Sequence, residues 1–315
     1  LALLLQQTPT LNITLAAPTG KAAMRLSESI VNSLNNAEVM RGFDAVLARI
    51  PTQAQTLHRL LGAKPFSVEF RHNMNNPLLE DVVVVDEASM IDLALMTKLV
   101  QSLKPTAKLI LLGDKDQLAS VESGAVLADC YQSLQHNRVE LRHTYRFDDE
   151  IKALAFAVNQ QQSDEVILLL KNAKPSSSIH WQQNERLLLS DLLAGYQAYI
   201  MQISQTNTDE EIINLFSVFN SFQLLTPIRH GKFGVVGLNQ LVEKQLGIQG
   251  KWYAGRPVMI MQNDNNTQLY NGDVGLCLPS QSHQGQLRVL FQHGNTLRSF
   301  IPSRLPAHET SFAMT

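Results

Sequence analysis

The 315 residues are 44% hydrophobic and 17% charged, a globular composition that excludes a disordered or collagen-like chain and is long enough for two domains. A net charge of −2 excludes a polycationic mode of nucleic-acid binding but leaves room for a local basic groove or a stacking platform. Cys130 and Cys277 form no C-x-x-C pair, so neither a zinc site nor a disulfide framework is indicated, and a reducing cytoplasm fits best.

The opening LALLLQQTPT is too short an apolar run, without a basic flank, for a signal peptide or a membrane span, so no membrane partner is expected. It has the pattern of a helix tail. A start on Leu1, mid-pattern, leads to the expectation that the chain is a piece of something longer. LNITLAA at 11–17 predicts a strand, and GKAAMRLSESIVNSL at 20–34 a helix, with Ala23, Leu26, Ile30 and Leu34 on one face. Between them, AAPTGKA has the look of a phosphate loop. The G-x-x-x-x-G-K-[ST] pattern, however, needs a glycine where Leu15 stands and a hydroxyl where Ala22 stands. Gly20 and Lys21 therefore belong to something else. TLHRLLG puts Thr56 at a helix start with Leu57, Leu60 and Leu61 apolar and His58 and Arg59 turned away. A helix cap followed by a solvated histidine and a ligand-contacting turn both fit.

VVVVDEASM at 82–90 opens with the unbroken β-branched run of a parallel strand covered on both faces. At its exit Asp86 is placed to hold magnesium and Glu87 to orient or deprotonate a water attacking a phosphate; a strand that simply ends in polar residues is the alternative. DLALMTKLVQSL predicts a helix, and AKLILLGD a second buried strand ending in Gly113 and Asp114. Strand, helix, strand at this spacing is a βαβ unit, so the sheet is predicted parallel and doubly wound, with ligands beyond its carboxyl ends. Gln117 follows at the same end, either reading a terminal phosphate or solvated on a turn. Arg146, in LRHTYRF, is either an arginine finger or a surface residue of a linker.

From 148 to 220 the pattern is helical and polar, with a loop at NAKPSSS. SFQLLTP predicts a buried strand stopped by Pro227. PIRHGKFG gathers Arg229, His230 and Lys232 around glycines, as a phosphate-tracking loop or a solvated turn. After Gly250 come short strands in RPVMIMQ, YNGDVGLCL, QLRVLFQ and LRSFIP, with Asn271-Gly272 as a hairpin turn, predicting a small inserted β-barrel. Trp252, Tyr253 and Phe233 are more often core residues than base-stacking platforms.

APTGKAAMRL, TLHRLLG, VVVVDEASM, GDKDQLASV and TYRF follow one another as do successive motifs of superfamily 1 helicases of the 5′-to-3′ type. QLLTPIRHGKFGVVGLN and GRPVMIMQNDNNTQLYNGDVG resemble later signatures of the exonuclease V alpha-subunit family. The resemblance spans nearly the whole chain. It implies two RecA-like parallel-sheet domains, of the P-loop NTPase type, at 1–140 and 141–249, an SH3-like β insertion at 250–306, and a return to the second domain at 307–315. By the same resemblance Pro18, Thr19, Gly20, Lys21, Thr56, His58 and Arg229 contact single-stranded DNA. Asp86 holds Mg2+, Gly113 and Asp114 flank the nucleotide, Glu87 is the base, Gln117 senses the γ-phosphate, and Arg146 neutralises charge. The implied parent is an ATP-dependent DNA helicase subunit acting in double-strand break repair and recombination, with the other subunits of exonuclease V as partners. Its phosphate loop is expected upstream of Leu1 and its motifs V and VI beyond Thr315, so little ATP hydrolysis is expected of this piece alone. A non-enzymatic DNA-binding or scaffolding module, and an NTPase acting on RNA or protein, are the competing readings.

Overall fold

The computed structural model describes residues 1–117, 124–141, 145, 147–174, 176–206, 208–248, 250–264, 266–294 and 296–315, with the side chains of 37, 39 and 185–189 not described. It divides into two compact units, Leu1–Asp149 with Asn159–Gln161, and Glu150–Val158 with Gln162–Thr315. No described helix is long and apolar enough to cross a membrane.

The first unit runs α1 (Ala2–Gln7), β1 (Ile13–Ala17), α2 (Gly20–Leu34), α3 (Ala37–Met40), β2 (Ala54–Thr56), α4 (Leu57–Leu61), β3 (Val82–Val85), α5 (Leu93–Ser102), β4 (Lys108–Leu111) and α6 (Val126–Ser133). Its four strands form a parallel sheet in the order β2-β1-β3-β4. Successive strand side chains face opposite ways, which explains the four valines. Val83 and Val85 join Ala16 against Leu57, Leu60 and Leu61 of α4 and Met96 and Leu99 of α5. Val82 and Val84 join Ile13 and Leu15 against Leu5 of α1, Val46 and Ile50. The helix starts have local causes: the Thr19 hydroxyl accepts from the Ala22 amide and the Asp92 carboxylate from the Leu95 amide.

One expectation here is corrected. β4 is not a buried strand: it is the edge of the described sheet, with Lys108 exposed and Leu109 to Leu111 only half-buried. The amino edge of the sheet is closed by polar pairing. Asp81, just before β3, accepts from the Asn12 amide at 2.8 Å and from Lys104 at 2.6 Å. The Lys104 hydrogen bond, then that of Asn12, holds the Asp81 carboxyl below its ordinary pKa.

The second unit contains Glu150–Val158 of α7 (Asp149–Asn159), α8 (Ser163–Asn172), α9 (Glu185–Ile203), α10 (Asp209–Asn220), β5 (Leu224–Leu225), α11 (Val235–Gln245), β6 (Arg256–Ile260), β7 (Val274–Ser280), β8 (Gln286–His293), β9 (Thr296–Phe300), β10 (His308–Thr310) and β11 (Ala313–Met314). Tyr196 and Tyr199 of α9, Leu215, Phe216 and Phe219 of α10, and Phe312 pack with Leu276 and Leu278 of β7 into one core. Alternate residues of the same sheet, among them Val258, Ile260, Cys277, Val289 and Phe291, form a second core on its other face. That sheet is antiparallel, five-stranded, in the order β10-β6-β7-β8-β9. Its pairing is an open meander with β10 and β9 at the ends.

Two further expectations change. The strand in SFQLLTP is only Leu224–Leu225, with Leu225 exposed, and it pairs in parallel with β11. Asn271-Gly272 does make a turn, with Gly272 at φ +86 and the Asp273 amide donating to the Tyr270 carbonyl, but within a long connection from β6 to β7. A shorter connection joins β8 to β9, where His293 pairs with Thr296.

Candidate nucleotide and nucleic-acid interface

The strand register aligns four exits along one edge of the first unit. Ala17 lies opposite Thr56, Ala16 opposite Val85, and Val85 opposite Leu111. The order along this carboxyl edge is therefore Thr56, then Pro18 to Lys21, then Asp86 and Glu87, then Gly113 to Gln117. Ten residues singled out from sequence share an edge that open parallel sheets use for ligands.

At the β3 exit the Asp86 amide donates to the Ala16 carbonyl at 3.0 Å, and the Asp86 carboxylate accepts from the Glu87 amide at 2.9 Å. Glu87 sits in the left-handed region at φ +52, and a 3-10 turn over Ala88–Met90 follows. The Ala88 amide reaches the Leu112 carbonyl at 2.9 Å, tying the exits of β3 and β4 together. Gly113 sits close against that tie. A Cβ there would lie 2.9 Å from Leu127 Cδ2 and 3.1 and 3.2 Å from the amide nitrogens of Ala88 and Ser89. The Ser89 hydroxyl is buried beneath this turn with no hydrogen-bond partner. Both acids are half-buried, whereas Asp114 and Gln117 are exposed, with the Asp114 carboxylate accepting from the Asp116 amide at 3.0 Å. Lys115 pairs with Asp116 at 2.6 Å, which raises the ammonium pKa.

The donor chemistry here suits magnesium. Among the described residues no three His, Cys, Asp or Glu side chains form a protein-only cage. Magnesium takes one or two carboxylates and keeps waters and substrate phosphates as its other ligands, which the oxygen-only pair at the β3 exit matches.

At the β1 exit Thr19 caps α2 through its hydroxyl at 3.2 Å, Gly20 is the first helical residue, and Lys21 follows. Thr56 ends β2 and caps α4, accepting from the Arg59 amide at 3.3 Å. His58 is exposed and meets Phe70 edge-on, ring centres 5.7 Å apart. Arg229 lies in the second unit, forked onto Glu309 with separations of 2.5 and 3.5 Å. Arg146 lies outside the described residues. Trp252 takes a packing role, half-buried with the Arg256 guanidinium 4.6 Å above its ring, and Tyr253 donates to Glu243 at 2.7 Å. Sequence reasoning missed the left-handed Glu87, the orphan Ser89 hydroxyl and Glu309. None of the three has a local sequence signal, because each depends on a neighbour distant in the chain.

A family model described as an AAA domain matches residues 1–123. The chain is 35% identical over 361 residues to the RecBCD enzyme subunit RecD of Haemophilus influenzae, covering 97% of this chain and 55% of that protein. It is 36% identical over 331 residues to the RecD subunit of Mycolicibacterium smegmatis, covering 100% and 57%. A solved structure of two Pif1 helicases coordinating at forked duplex DNA aligns with 99% of this chain and 74% of its own at 17% identity and a TM-score of 0.46; the fold assignment rests on the chain's own topology. By sequence the chain is a relative of the RecBCD subunit RecD throughout its length, and it spans about half the length of the curated relatives it matches.

Proposed function

We propose that this chain is part of an ATP-driven DNA helicase subunit of the exonuclease V type, tracking single-stranded DNA 5′ to 3′ in break repair and recombination in the cytoplasm. The observation that carries the proposal is the single carboxyl edge on which the acidic turn at Asp86 and Glu87 neighbours two capped helix starts. The domain layout given by the resemblance is part of it: RecA-like units at 1–140 and 141–249 with 307–315, and an SH3-like insertion at 250–306. The four-strand antiparallel meander β6 to β9 supports the SH3-like assignment.

In this proposal Asp86 holds magnesium, which when bound supplies charge neutralisation on the nucleotide phosphates. Glu87 accepts the proton of the water that attacks the γ-phosphoryl group, from a backbone fixed by the Asp86 and Leu112 hydrogen bonds. Gln117 orients toward the terminal phosphate, and Gly113 and Asp114 shape the floor beside it. Arg146 supplies positive charge as the phosphoryl group transfers. Pro18 to Lys21, Thr56 and His58 meet the DNA backbone, and Arg229 does so from the second unit. Other exonuclease V subunits are the expected protein partners.

Binding of fluorescein-labelled dT20 by the chain, followed by anisotropy from 50 to 200 mM salt, tests the nucleic-acid half. Lys21→Ala should weaken binding about three- to tenfold and reduce the salt slope by about 0.7, the single-strand value per phosphate contact. Lys108→Ala, at the amino end of β4, should change neither. No binding to dT20, equal binding to rU20, or equal losses in both variants would overturn the proposal.

A further inference from the structure

The loop from Thr226 to Gly234, which leads into α11, is braced by its own hydrogen bonds. The Thr226 hydroxyl donates to the Phe233 carbonyl at 2.7 Å, and the Gly234 amide to the Gly231 carbonyl at 3.1 Å. A Cβ at Gly237 would lie 2.3 Å from the Gly231 carbonyl oxygen, so helix and loop are in direct backbone contact. The helix start offers little to an anion: the Val235 and Val236 amides are already taken by the Ile228 and Arg229 carbonyls at 3.1 and 3.2 Å. An anion at this loop is left to side chains. Of these, Arg229 is 46% exposed, yet its two terminal nitrogens are forked onto Glu309, which is only 19% exposed.

Glu309 is a rigid anchor. It sits on β10, paired with Met259 of β6, and its neighbour Thr310 is held on both sides, donating to Glu243 at 3.1 Å and accepting from the buried Arg256 at 3.0 Å. An end-on fork consumes one edge of a guanidinium and leaves the edge with Nε for a second oxyanion. We propose that Glu309 is a positioning residue: it holds the Arg229 guanidinium so that its remaining edge meets a DNA phosphate, with the side chain ordered before binding. This rests on the single-strand reading above and names a residue that reading does not contain.

The test is a double-mutant cycle on the 315-residue chain with dT20. Glu309→Gln and Arg229→Ala should each weaken binding about three- to tenfold, and the double variant should be no weaker than Arg229→Ala alone within about twofold. Glu309→Asp should retain most of the affinity, and the thermal midpoints should stay together. Removing a negative charge tightens DNA binding when only long-range Coulomb forces act. Tighter or unchanged binding by Glu309→Gln, or losses that add, would therefore refute the positioning role while leaving the single-strand reading intact. Failure of the unmodified chain to bind dT20 would overturn both.

Discussion

Glu87 combines the proposed base with an unfavourable backbone. A residue with a Cβ at φ +52 costs roughly 1–2 kcal/mol relative to ordinary conformations, and it persists only where its surroundings over-determine it. Here they do: its own amide is held by the Asp86 carboxylate, and the next amide by the Leu112 carbonyl. Glycine lacks the Cβ that causes the cost. Glu87→Gly should therefore stabilise the chain by about 0.5–1 kcal/mol in urea unfolding, while Glu87→Gln leaves stability unchanged. A glycine variant less stable than the parent would show that the turn is unstrained. The acids themselves were legible from VVVVDE. The left-handed turn was not, because it is held by the bond between the Ala88 amide and the carbonyl of Leu112, just past β4.

Elements were legible where one local rule decided them. The helix over Gly20–Leu34 follows from its apolar spacing and Thr19 cap, and β3 from its valine run. Apolar content alone misled at β4, since a strand's burial depends on what pairs and packs beside it. The short pair β5 and β11 shows how such strands hold. The buried Asn239 amide of α11 donates to the Ala313 carbonyl at 2.9 Å and accepts from the Ala313 amide at 3.0 Å, standing in for a neighbouring strand. Asn239→Ala leaves both backbone groups buried and unpaired, so a loss of about 2–4 kcal/mol is expected in urea unfolding. Exchange of the Thr226 amide, which donates to Met314 at 3.0 Å, should speed in parallel. A loss below about 1 kcal/mol would mean that the side chain carries no such role.

At the scale of the whole molecule, a net charge of −2 gives no general attraction for DNA, so any binding must be local and directional. The parallel sheet supplies the direction. Its amino edge is closed by the pairing of Asn12, Asp81 and Lys104, while its carboxyl edge carries Thr56, Pro18 to Lys21, Asp86, Glu87, Gly113, Asp114 and Gln117. Motif order along the chain was enough to suggest the function, and the register explains why residues as far apart as Thr19, Thr56 and Glu87 lie at one edge. The most direct measurement is photocrosslinking of dT20 carrying 4-thiothymidine, with the attached peptides mapped by mass spectrometry. Crosslinks at 18–21 and 56–59 in the first unit and at 227–233 in the second are expected. Crosslinks gathered instead at 12, 81 and 104–108, on the amino edge, would contradict the assignment of that face to DNA.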